Sequence, residues 1–209
     1  PSVDIALRGT DTLPSLAYGE QTDYLGLPDS TNFVADIYTT SDINNLVISS
    51  QTITTSTDSS SVVLASGFLN PANNQNGPGF ALIQVDEAGD VTVLNNLTEA
   101  NLQFIHNSPD PAAATVDLYF NDVLIGDDVD FRNATNFTAG INATGTRVLE
   151  IAAPNSQGPG DATVVNVDLS SQVLPGRPRI FMINGVVDPS SFEPNPDGIS
   201  TGLTIAQVR

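Results

Sequence analysis

The sequence predicts an all-β protein made of two tandem immunoglobulin-like antiparallel β-sandwiches. Short segments alternate between apolar and polar residues, which is typical of strands with one buried face. Clusters of Pro, Gly, Asn, Asp and Ser separate these segments about every eight to twelve residues, as in sandwiches and barrels. The third observation is an internal repeat, in which Val3-Asp4 recurs as Val116-Asp117. Because no segment shows clear helical periodicity, strands account for the whole pattern.

The alternation is clearest in two segments that occupy the same place in the repeat. In SVDIALRG (residues 2–9) every second residue from Val3 to Leu7 is apolar. In ATVDLYFND (residues 114–122) the same holds from Val116 to Phe120. Successive side chains of a strand point to opposite faces, so each segment predicts a strand that buries one face.

The repeat divides the chain into two modules. One residue of slip aligns Asp36-Ile37 with Glu150-Ile151, and VVLASGFLNP (62–71) then matches RIFMINGVVDP (179–189). The last strands agree as well, with Gln84 placed on Gln207. We therefore predict a first module over residues 1–90, and a linker plus a second module over residues 91–209.

Composition excludes several classes of function. The chain has 24 acidic residues against six Arg and no Lys, and its net charge is −18. Such a charge repels nucleic-acid phosphates and anionic lipids, so we expect neither nucleic acid nor a membrane as partner. The absence of Cys removes disulfides, thiolate metal sites and thiol nucleophiles. No run reaches the ~18 apolar residues of a membrane span.

A family resemblance rests on the segment NLQFIHNSPDPAAATVDLYFNDVLI (101–125). It contains an apolar strand, a His-Asn-Ser-Pro-Asp turn and a Val-Asp-hydrophobic strand, and GTRVLEI (145–151) adds a Gly-Thr-x-x-hydrophobic strand. In these features the chain resembles the bacterial and archaeal extracellular domains of domain-of-unknown-function family 4397. The resemblance covers the second module throughout and the first from Ser2 onward. It implies secreted or surface-anchored immunoglobulin-like modules, often in tandem, and carries no functional residue over to this chain.

His106 is the single histidine, and Ser108 and Asp110 follow it closely. Three residues within five positions beside a proline rarely adopt the relay geometry of a hydrolase triad. Asp typically caps free backbone N–H groups in such a turn, while Pro fixes φ. We therefore predict a structural turn with a buried or turn-bonding histidine, and a protein that is not an enzyme.

Acidic loops are the remaining candidates for a site. Asp127, Asp128 and Asp130 could supply oxygen ligands to Ca²⁺, although they lack the ligand spacing of an EF-hand. The matching segment of the first module, LPSLA, has no acid, so a solvated turn is the default and no cofactor is expected. The Asn/Pro/Gly-rich loops at residues 70–79 and 188–198 are candidate sites for glycans or Ca²⁺.

The first module lacks a counterpart of Leu102 to Asp110 before Ser2. A sandwich without that strand exposes unpaired N–H and C=O groups, which we expect near Ser2–Leu7. Three explanations are open: the strand was removed from the chain, the module manages without it, or a neighbouring subunit fills the gap. The third would produce self-association.

These features together predict a non-catalytic extracellular protein of a prokaryotic cell surface or matrix. Its role would be structural or adhesive, including head-to-tail filament assembly by β-strand complementation. The alternative is a surface module that binds glycans or Ca²⁺.

Overall fold

The computed structural model describes residues 2–8, 13, 15–39, 42–46 and 50–208, with the backbone alone for residues 42–46. Strands make up 47% of the structure, and these ranges contain no helix of seven residues or more. The all-β fold class is therefore confirmed. The chain forms two compact units, residues 1–97 and 98–209, so the boundary lies beyond residue 90.

The first unit is built from two sheets. Its strands are β1 (Ser2–Leu7), β2 (Leu16–Ala17), β3 (Asn32–Thr39), β4 (Asp42–Leu46), β5 (Gln51–Thr54), β6 (Ser61–Ser66), β7 (Ala81–Asp86) and β8 (Val91–Val93). One sheet has the order β2-β1-β3-β4, with β5 also paired to β3, and the other has the order β6-β7-β8. Strand β8 lies in the segment that the sequence assigned to the linker, where it pairs with β7.

The second unit is built from two four-stranded sheets. Its strands are β9 (Glu99–Asn107), β10 (Thr115–Phe120), β11 (Val123–Asp130), β12 (Thr138–Asn142), β13 (Val148–Ala152), β14 (Thr163–Asp168), β15 (Arg179–Asn184) and β16 (Thr204–Val208). The sheets have the orders β11-β10-β13-β14 and β12-β9-β15-β16. All described pairings between these strands are antiparallel except that of β9 with β15, which is parallel.

The two sheets of the second unit share one hydrophobic core. In β9 every second residue is buried, because the strand turns one face to the other sheet. Phe104 lies at the centre, with its ring centroid 5.5 Å from that of Phe181 and 6.3 Å from that of Phe120. Phe120 comes from the opposite sheet, so this aromatic cluster joins the two layers.

The core of the first unit is smaller. Its buried members include Phe33, Ile37, Ile53 and Leu82, and Leu94, the residue that follows β8, joins them. Strand β6 contributes no buried residue, since all six of its residues are exposed. One sheet of the first unit therefore packs on the core mainly through β7.

The strand registers of the two units correspond. Ile5 pairs with Ile37 in the first unit, and Leu118 pairs with Ile151 in the second. These are the positions that the sequence repeat aligns. In the other sheet, the β6–β7 pairing of Ala65 with Leu82 corresponds to the β15–β16 pairing of Ile183 with Ile205.

A glycine after β6 and another after β15 show the same correspondence in backbone detail. Gly67 has φ +93° and Gly185 has φ +88°, values that side-chain-bearing residues rarely adopt. A Cβ on either would lie 2.2 Å from a carbonyl oxygen, that of Gly79 or Gly202 respectively. Each glycine is followed by a loop that begins with a short 3₁₀ turn, Pro71–Asn73 or Pro189–Ser191.

Among the described residues, no helix has the length and apolar composition needed to cross a membrane.

Candidate functional site

An open strand edge of the first unit lies at β6. In the described part of that unit, the only strand paired with β6 is β7. The corresponding strand of the second unit, β15, has β16 on one side and β9 on the other. By contrast, β1 has β3 along one side and β2 at the start of the other. The sequence predicts an open edge near Ser2–Leu7, where β2 pairs with Ser2 and Val3 alone among the described strands. The edge at Ser61–Ser66 is a further one that the sequence did not predict.

This edge exposes apolar side chains that the fold would otherwise bury. Val63 is 36% exposed, whereas Phe181 at the corresponding position of β15 is 0% exposed. Ala65 is exposed, whereas the corresponding Ile183 is fully buried. The difference arises because β9 lies beside β15 in the second unit, where Phe104 stacks on Phe181. In the described part of the first unit, no strand lies at the equivalent position beside β6.

The other face of β6 borders a shallow groove. Val62 and Leu64 line it together with Tyr24, and its volume is about 390 Å³. Tyr24 is 82% exposed, so its ring stands free beside the strand. Asp86 and Glu87 close one end of the groove and make it acidic there. The surface around β6 is thus apolar along the strand and negatively charged at one end.

The His106–Asp110 segment forms a turn whose side chains bond to backbone groups. His106 is fully buried, and its Nε2 donates to the Ala113 carbonyl over 2.7 Å. The Ser108 hydroxyl donates to the Gly185 carbonyl over 2.6 Å. Asp110 accepts from Ala112 N over 2.8 Å, which caps the 3₁₀ turn Pro111–Ala113, and from Val187 N over 2.8 Å. The capping role predicted for Asp110 is confirmed, and none of these bonds joins the three side chains in a relay.

Burial lowers the pKa of His106 below its ordinary value of 6.5, while the Ala113 carbonyl and the charge of Asp130 partly oppose the shift. Nε2 donates, so the neutral ring leaves Nδ1 as an acceptor, and this atom has no hydrogen-bond partner in the described structure. Protonation would place a buried N–H there without an acceptor.

This shift predicts a stability change in mild acid. Because the folded state binds fewer protons than the unfolded state, the stability contribution is full above about pH 6.5 and is lost as the pH falls through the lowered pKa. We expect amides of the second unit to lose protection against hydrogen exchange as the pH falls below about 6.5. The variant His106→Gln keeps a donor without titrating, so the loss in that variant should be smaller. Equal losses in both proteins would contradict the prediction.

Replacing Asp110 with alanine should destabilise the second unit by about 2 kcal/mol, because a cap and a second buried hydrogen bond to backbone are lost together. Denaturant unfolding followed by hydrogen exchange in β10 and β13 would measure the change. The matched control is Asp127→Ala, which removes an exposed carboxylate from β11 and should change stability by less than about 0.5 kcal/mol. A similar loss of stability in both variants would contradict the prediction that the hydrogen bonds of Asp110 stabilise the second unit.

The three acids proposed for Ca²⁺ lie along the exposed part of β11. Asp127, Asp128 and Asp130 are all exposed, and the buried Val129 separates the last two. Asp130 accepts from the Thr115 hydroxyl over 2.7 Å. In the described residues, no group of three or more His, Cys, Asp or Glu side chains is arranged to hold a metal ion.

The two polar loops begin alike and differ further along. Asn70 accepts from Asn73 N at the start of the first loop, and Asp188 accepts from Ser190 N at the start of the second. Hydrogen bonds from Ser190 and Ser191 lower the pKa of Asp188. Next to the second loop lies a mainly apolar, open depression of about 500 Å³, lined in part by Phe192 and Phe131.

Sequence analysis did not identify the pair of buried carboxylates at Asp36 and Glu150. They are 3% and 6% exposed and occupy corresponding positions of β3 and β13. Asp36 accepts from the Arg8 guanidinium over 2.8 Å and 2.9 Å, and also from Ser50. Glu150 accepts from Gly160 N over 3.0 Å and from the Thr163 hydroxyl. The sequence did contain a signal for this pair, because the repeat aligns Asp36 with Glu150 and each acid lies between two apolar residues.

No protein-family model matches this chain. No curated protein matches it either.

Proposed function

We propose that this chain is a non-catalytic structural or adhesive protein of a prokaryotic cell surface or extracellular matrix. In this proposal its two units are immunoglobulin-like sandwich modules of the kind that the resemblance to domain-of-unknown-function family 4397 implies. Subunits assemble head to tail into filaments, because one unit accepts a strand from a neighbour. The high acidic charge keeps such an exported protein soluble in saline surroundings, where salt screens its self-repulsion.

The observation that carries the proposal is the exposed edge at β6. Proteins usually protect edge strands with charge, proline, bulges or a covering element. Strand β6 reads SVVLAS, and it contains no charged residue and no proline. Its residues pair in continuous register with β7, from Ser61 opposite Asp86 to Ser66 opposite Ala81. A regular, uncharged edge of this kind favours the addition of a further strand.

Assembly should depend on protein concentration. We expect light scattering to show a rising mean mass as the purified chain is concentrated in saline buffer, and electron microscopy to show filaments of uniform width. Heterologous contacts that do not close into a ring produce such open polymers. A chain that stays monomeric at the highest concentrations would contradict the proposal.

The alternative function is a surface module that binds glycans or Ca²⁺. The observation that favours it is the depression beside the second loop, where the rings of Phe131 and Phe192 are available for contact. A melting temperature that rises with Ca²⁺ and falls back with a chelator would support calcium binding. A melting temperature that rises on addition of oligosaccharides would support glycan binding.

A further inference from the structure

We propose that β6 accepts a strand in parallel orientation, and that the incoming strand has the side-chain pattern of β9. This inference rests on the proposed function and specifies the partner that completes the first unit. The partner segment carries large apolar residues at every second position, followed by a turn with a hydroxyl and a carboxylate.

The second unit is the template for the incoming strand. There, β9 pairs with β15 in parallel from Arg179 opposite Leu102 to Asn184 opposite Asn107. Val63 and Phe181 are equivalent positions, since each pairs with a glutamine that the repeat aligns. Val63 pairs with Gln84, and Phe181 pairs with Gln207. The incoming strand would therefore place the equivalent of Phe104 opposite Val63.

Burial gives the reason for the apolar pattern. Leu102 and Phe104 are 1% and 0% exposed in the second unit, where they fill the space between the sheets. Val63, at the position equivalent to Phe181, keeps 36% of its surface exposed. A strand that covers Val63 and its neighbours would remove apolar surface from water. Each Å² of apolar surface buried stabilises the complex by about 25 cal/mol, so an apolar strand is favoured over a polar one.

Two backbone groups of the first unit are placed to hold the turn that follows the strand. In the second unit, the Ser108 hydroxyl bonds the Gly185 carbonyl and the Asp110 carboxylate bonds Val187 N. The corresponding groups are the Gly67 carbonyl and Leu69 N, since Gly67 and Gly185 share the same conformation and the same close approach. Neither group has a hydrogen-bond partner within the described part of the chain.

The loop around these groups is already in the conformation that the turn requires. Phe68 N donates to the Pro78 carbonyl over 2.9 Å, as Val186 N donates to the Thr201 carbonyl over 2.8 Å. Phe68 and Gly79 form a parallel bridge, and so do Val186 and Gly202. The receiving site therefore needs little rearrangement, which lowers the entropic cost of binding.

A synthetic peptide with the sequence of residues 99–113 tests the inference on the full chain. We expect saturable one-to-one binding with a Kd below about 1 mM, measured in high salt because peptide and protein are both acidic. Hydrogen exchange should show new protection at β6 and at residues 67–69. A peptide with Leu102→Asp and Phe104→Asp should lose binding, and one with Asp110→Ala should bind about tenfold more weakly.

Protein variants locate the site. Val63→Asp should abolish binding, because it places a charge on the face that the peptide covers. The matched control is Val91→Asp, which adds the same charge to the far edge strand β8, where Val91 is 62% exposed, and should bind as the unmodified chain does. If Val63→Asp prevents folding of the first unit, the peptide variants still decide the question with the unmodified protein.

Three outcomes would overturn the inference. These are no binding, binding that Val91→Asp weakens as much as Val63→Asp does, and protection of β6 by self-association that the peptide does not displace. The last would indicate that a second copy covers β6 without a strand of the β9 pattern, as β6 of that copy would. Peptide binding without filaments would retain this inference and refute the filament proposal. Filaments that form while β6 stays unprotected would refute this inference and would show that the filament contact lies elsewhere on the chain.

Discussion

Replacing Phe104 with alanine should lower the free energy of unfolding of the second unit by about 3–5 kcal/mol. The side chain is 0% exposed and stacks on Phe181 with an interplanar angle of 20°. It also contacts Phe120 across the core, so the substitution leaves a cavity that both sheets line. Rigid strands collapse poorly around such a cavity, which places the cost at the upper end of core truncations.

Denaturant unfolding monitored by hydrogen exchange would assign the loss to one unit, because the exchange of amides in each strand is measured separately. Phe137→Ala is the matched control, because Phe137 lies in the same unit and is 48% exposed. Its removal should cost less than about 1 kcal/mol. Similar losses from both variants would contradict the central role of Phe104.

Replacing Arg8 with alanine should destabilise the first unit by about 3–5 kcal/mol, because it leaves the buried carboxylate of Asp36 without its cation. The Arg8 Nε and Nη2 atoms lie 2.9 Å and 2.8 Å from the two carboxylate oxygens, which is a bidentate geometry. The Asp36 side chain is 4% exposed, so solvent cannot replace the lost partner. The small core of this unit offers little reserve, and we expect partial unfolding at room temperature.

The double variant Arg8→Ala with Asp36→Asn tests the cause. Removing the charge should restore part of the lost stability, because a neutral amide costs less to bury than an unpaired carboxylate. Arg132→Ala is the charge control, since Arg132 is exposed and stacks over Phe131 with 4.8 Å from its guanidinium carbon to the ring centroid. If the double variant is no more stable than Arg8→Ala, packing of the arginine rather than its charge explains the loss.

Among the features predicted from the sequence, the internal repeat agrees best with the structure. Local alternation identified the strands that became β1 and β10, and the alignment of Ile37 with Ile151 agrees with their pairing to Ile5 and Leu118. The turn at His106 was likewise read from residue type, since Asp and Pro have strong local preferences. These features depend on neighbours in sequence.

The open edge shows where sequence reasoning was limited. From the repeat we predict a first module without a counterpart of β9 and place the resulting edge at β1, the next segment along the chain. The structure shows that β9 pairs with β15, about 75 residues away, and that β6, the strand equivalent to β15, pairs with β7 alone in the described part of the first unit. Strand neighbours far apart in sequence are set by pairing across the sheet, which local periodicity does not encode.

The sequence by itself determined that this protein is built from strands, that its pattern repeats and that its surface is strongly acidic, because alternation, repetition and charge are properties of the chain. Only the tertiary structure decided that β6 has an open edge, that Asp36 and Glu150 are buried at corresponding positions, and that the Gly67 carbonyl and Leu69 N have no hydrogen-bond partner among the described residues. Those facts depend on which distant strands meet, and burial and hydrogen-bond partners follow from that meeting.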